Sequence, residues 1–109
     1  MIVAAWALAF ALTCTIELTV IRLLAPPRPH LLRIALYAQA VTHPLVWIMM
    51  STLPGSQMTR LVGVELWATL VEAALYARFL RLPRSEAFGL SAAANAASLL
   101  LVAGVSMVL

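Results

Sequence analysis

The chain has 109 residues, of which 64% are hydrophobic and only 10% charged, against the roughly 25% charged residues of an average soluble domain. Seven arginines and four glutamates, with no lysine and no aspartate, leave a formal net charge of +3, and the mean hydropathy is +1.03. This composition speaks against a soluble enzyme. It also speaks against nucleic-acid binding, because six of the arginines fall at the ends of apolar runs, where anionic lipid headgroups are the natural partners.

Four long apolar runs, at about residues 2–24, 31–53, 61–81 and 86–109, are each close to the ~20 residues that cross a ~30 Å hydrocarbon core as a helix. They are rich in Ala and Leu and do not alternate, so helices are expected and not strands. The predicted fold is all-α, a single transmembrane domain over 1–109 with four transmembrane helices in an up-down bundle.

The first run has no basic residue ahead of it and is too long for a secretory signal core, so a membrane span is expected. It carries Thr13 and Glu17 on one face at i, i+4, and Cys14, the only cysteine of the chain, which precludes an internal disulfide. The loop Ala25-Pro26-Pro27-Arg28-Pro29-His30 follows.

The second run carries Gln39, Thr42 and His43 and then Pro44. Lacking an N–H, Pro44 leaves the carbonyl of Ala40 without its helical donor, which predicts a kink beside His43. The third run places Glu65, Thr69, Glu72 and Tyr76 on one stripe at i, i+4, i+7 and i+11. Of these, Glu65 lies nearest the outer surface and is expected to be interfacial. The last run carries Ser91, Asn95 and Ser98 on one face, among the small residues Ala92, Ala93, Ala94, Ala96 and Ala97, which permit close helix packing. Glu86 suits a first helical turn. Trp6, Trp47 and Trp67 read as interfacial anchors.

Arg22, Arg28 and Arg33 flank the first loop and Arg78, Arg81 and Arg84 the third, whereas the second has Arg60 alone. The positive-inside bias then puts the first and third loops in the cytoplasm, their arginines on lipid headgroups and both termini outside. A bacterial inner (plasma) membrane is the expected location.

An offset of 56 residues aligns Arg22 with Arg78, Pro27 with Pro83, Arg28 with Arg84, Gln39 with Asn95, and Thr42 with Ser98. This pattern suggests a duplicated two-helix hairpin with halves 1–56 and 57–109. Two spans per unit preserve orientation, so the halves would be related by an axis along the membrane normal.

With a helical rise of ~1.5 Å per residue, Glu17, Gln39, Thr42, His43, Glu72, Asn95 and Ser98 all fall between about 10 and 18 Å from the arginine-rich end. Intramembrane ionisable groups are costly and turn inward, so these seven are expected to form one interior cluster. Two carboxyls and an imidazole backed by amide and hydroxyl groups suit binding or passage of a proton or small cation. No cofactor is expected. A divalent metal on His43, Glu72 and Glu17 is the variant of the same idea, although no His/Glu pair has ligand spacing within one helix. Gly-rich phosphate loops, serine elbows and cysteine motifs are missing, which weighs against an enzyme. Four short helices leave little room for a pore within one copy, so a homo-oligomer is the expected form for that role. The alternative is a non-catalytic accessory or assembly subunit of a larger membrane complex, whose polar network only fixes helix pairing.

Overall fold

The computed structural model of the protein describes the backbone of residues 2–108 and the side chains of Ala4 and residues 7–101; the anchor role expected of Trp6 falls outside the described side chains. Four helices follow in order: α1 (Ile2–Leu24), α2 (Leu31–Thr52), α3 (Gln57–Phe79) and α4 (Arg84–Val108). They form an antiparallel bundle in which α1 packs on α2 and α4, and α3 on α2 and α4. Cα atoms of the diagonal pairs, α1 with α3 and α2 with α4, stay more than 8 Å apart among the described residues.

The helix ends follow local chemistry. Helix α3 starts four residues earlier than the hydropathy pattern predicts, because the Ser56 side chain accepts the Thr59 N–H at 3.1 Å and caps it. It stops at Phe79, where Leu80 still donates to the Tyr76 carbonyl and Arg81 turns left-handed at φ 57°. His30 makes the corresponding reversal before α2 at φ 59°. Gly55 takes φ 107° between α2 and α3, a conformation that side chains resist. Helix α2 runs through Pro44 without interruption.

The interior has two layers. Toward the arginine-rich end, Ile21, Ala35, Ala38, Tyr76, Leu80, Ala87, Leu90 and Ala94 form an apolar core. Beyond it, Glu17, Gln39, Thr42, Glu72, Ser91, Asn95 and Ser98 are all buried. Meanwhile large apolar side chains such as Leu8, Leu23, Leu66, Leu70 and Leu100 are more than half exposed. Helices α1, over Ala7–Leu24, and α2, over Leu31–Thr52, are long and apolar enough to cross a membrane. Helices α3 and α4 are less apolar on average.

Arg28 reaches from the first loop to the third, its Nε donating to the Leu80 carbonyl at 3.2 Å. Arg22, Arg33, Arg78, Arg81 and Arg84 are exposed around the same end.

Tyr76 is the largest wholly buried side chain among the described residues. Replacing it with Ala is expected to lower stability by about 3 kcal/mol or more, as for other buried aromatic truncations, measured by thermal unfolding in detergent. Tyr76→Phe keeps the ring and is expected to lose far less.

Candidate functional site

The polar layer is assembled from one or two side chains of each helix. Glu17 of α1 and Glu72 of α3 reach toward each other across the diagonal and share one amide donor between them. Gln39 of α2 donates its Nε2 to Glu17 Oε1 at 2.6 Å and to Glu72 Oε1 at 3.2 Å. From the other side, Asn95 of α4 donates its Nδ2 to Glu72 Oε1 at 3.1 Å. The Thr42 hydroxyl lies 2.8 Å from Glu72 Oε2 and 3.0 Å from the Ala38 carbonyl.

Proton counting constrains this arrangement. Two buried carboxyl groups stay in contact only with a proton between them, since two bare carboxylates would repel in a medium that screens poorly. Thr42 has one proton and two acceptors in range. When it donates to Ala38, as hydroxyls in helices commonly do, it accepts a proton from Glu72 Oε2. In that arrangement every oxygen of the Glu72 carboxyl meets a hydrogen-bonding group.

Second-rank contacts hold these groups in place. Asn95 also donates to the Ser91 carbonyl at 2.9 Å, and the Ser91 hydroxyl donates to the Thr69 carbonyl at 2.8 Å, locking α4 on α3. The Tyr76 hydroxyl is buried beside the Gln39 amide. Thr69, Ser91 and Tyr76 stand outside the cluster expected from depth, yet they lie on the same polar stripes that reveal its members.

A cavity of about 250 Å³ opens from the carboxyl pair, lined by all four helices. Glu17, Gln39, Thr42, His43, Glu72, Asn95 and Ser98 all border it, so the seven residues grouped by depth meet around one space. His43 stands slightly apart from the amide–carboxyl network, its ring 5.0 Å from that of Phe10 and 6.4 Å from that of Trp47. Glu65, expected at the interface, is only partly exposed and borders the same cavity. Trp47 lines it as well.

Four pairs of lining residues stand 56 positions apart: Ala9 and Glu65, Gln39 and Asn95, Thr42 and Ser98, His43 and Leu99. Both amides of this set donate to Glu72. Glu17 and Glu72 fall one residue short of that offset.

Among the described residues no three of His, Cys, Asp and Glu converge in a metal-ligating group. No family model, curated protein or solved structure matches the chain.

Glutamine at position 72 can satisfy the whole network, its carbonyl accepting from Gln39 and Asn95 and its amide donating to Thr42. Glu72→Gln is therefore expected to unfold within about 1 kcal/mol of the native chain, whereas Glu72→Leu takes this buried acceptor from the Gln39 and Asn95 amides and is expected to cost about 1–3 kcal/mol or more. Thermal unfolding of the two variants in one detergent separates these outcomes.

Proposed function

We propose that the protein is a four-span integral membrane protein whose buried carboxyl pair binds a proton and passes it when the bundle opens. The observation that carries this reading is that Glu17 and Glu72 accept from the same Gln39 amide in the centre of the bundle, where a shared proton relieves the repulsion of two buried carboxylates, beside a cavity that both of them border.

The membrane assignment is supported by the inverted distribution of side chains. Carboxyl, amide and hydroxyl groups fill the centre while leucines cover the outside, the reverse of what water selects. Polar groups lower the hydropathy of α3 and α4, but Glu72, Thr69, Ser91, Asn95 and Ser98 are buried and do not meet lipid. The arginine-rich end faces the cytoplasm in this reading, with both termini outside a bacterial inner membrane and the exposed arginines among anionic headgroups.

A proton is favoured over a small metal cation by the direction of the hydrogen bonds. Gln39 and Asn95 aim N–H groups at the carboxyl oxygens, occupying lone pairs that a hard cation needs. A second reading, a non-catalytic subunit of a larger complex, is favoured by the completeness of the same network, which suits a device for helix pairing.

Reconstitution in liposomes carrying a pH-sensitive dye tests the two. Native protein is expected to speed decay of an imposed pH gradient, and Glu72→Gln and Glu17→Gln to return it to the rate of empty liposomes without loss of helicity or melting temperature. Native protein with no effect on the gradient leaves the subunit reading. For topology, in a Cys14→Ala background, an impermeant thiol reagent is expected to label Ser56→Cys from outside cells and Ser85→Cys only after the membrane is opened.

A further inference from the structure

The cavity is one-sided. On α3 it is lined by Glu72, Ala68, Glu65 and Leu61, and Leu61 lies four residues after Gln57, the first residue of the helix. From Glu72 to Leu61 the helix advances about 16 Å, so the open space runs from the carboxyl pair nearly to the α2–α3 end. In the opposite direction the lining stops at Glu17, Gln39 and Glu72. The next turns bring Ile21, Ala35 and Tyr76 at 0% exposure and Leu80 at 2%, a close-packed layer in which the Tyr76 hydroxyl is buried and the Ser91 hydroxyl is spent on the Thr69 carbonyl.

Glu65 stands between the pair and the mouth, two helical turns or about 10 Å from Glu72 along the axis. It borders the same cavity as both Glu17 and Glu72, and lies too far along the axis for a direct proton hop. The cavity has room for several water molecules, whose hydrogen bonds bridge such a gap. Other titratable side chains at this level are His43 from α2 and Cys14 from α1, both buried.

We infer that the carboxyl pair exchanges its proton only with the α2–α3 side of the membrane, with Glu65 as the relay carboxyl, while the layer of Ile21, Tyr76 and Leu80 closes the arginine-rich side. This rests on the proton-binding reading of the pair. In each transfer one O–H bond forms as another breaks: Glu65 takes a proton from water at the mouth and releases one to a cavity water, which passes one to the pair. Release toward the arginine-rich side requires the apolar layer to part.

The test uses full-length chain in liposomes, again with Cys14→Ala, and a small impermeant thiosulfonate added on either side. Ser56→Cys identifies the α2–α3 side. Ser98→Cys and Leu99→Cys, both on the cavity wall, are expected to react from that side alone, and Ala94→Cys, one turn deeper in the apolar layer, from neither. Labelling of Ala94→Cys from the arginine-rich side, or of neither wall position, overturns the inference whether or not protons flow. A silent pH gradient with the expected labelling instead overturns the proton reading and leaves the one-sided cavity standing. For the relay, Glu65→Gln is expected to slow gradient decay severalfold, with Glu65→Asp restoring most of it at an unchanged melting temperature. Equal rates for native protein and Glu65→Gln remove Glu65 from the path.

Discussion

Two carboxyl groups from diagonally opposed helices meet at the centre of the bundle, and the rest of the interior is organised by the need to keep that contact. Glu17 and Glu72 belong to helices whose backbones do not approach within 8 Å among the described residues, so their side chains are the bridge. Each needs a donor that water supplies elsewhere. Gln39 and Asn95 supply it from the intervening helices, with the Thr42 hydroxyl completing the shell of Glu72, which fixes the rotation of α2 and α4 as firmly as that of α1 and α3. Hydrogen bonds between helices in lipid average only about 0.6 kcal/mol each. Their collective effect is therefore one of register: any other rotation strands a carboxyl group against leucine.

Division of the interior into an apolar and a polar layer follows from the same constraint. Small residues, Ala35, Ala38, Ala87 and Ala94, let the helices close around Tyr76 and Leu80 at the arginine-rich end. Where the polar groups begin, side chains of unequal length leave the space that becomes the cavity. Close packing on one side and incomplete filling on the other give the protein a direction.

Much of this was legible in the chain, and the reasons are specific. In a sequence so poor in polar residues, the stripe Glu65, Thr69, Glu72 and Tyr76 and the i, i+4 pair Gln39 and His43 stand out against Ala and Leu, and helical spacing converts them directly into faces. Depth counted from the arginines then brings Glu17, Gln39, Thr42, Glu72 and Asn95 together. Glu65 escaped that treatment because its nearness to the outer end suggested headgroups, while the space it borders comes from packing that no spacing rule encodes. The start of α3 at Gln57 was likewise hidden, since Ser56 caps the helix through a single hydroxyl ahead of the apolar run. His43 shared a face with Gln39 as expected, but its aromatic neighbours Phe10 and Trp47 sit on two helices and in no common motif.

The bond from Arg28 to the Leu80 carbonyl ties the turn of one hairpin to the turn of the other. Short, proline-bearing connections and two left-handed residues, His30 and Arg81, brace that rim. At the opposite rim the link between α2 and α3, Leu53-Pro54-Gly55-Ser56, is equally short, so the hairpins are joined at both ends and the polar interior is held as a clasp closed from above and below.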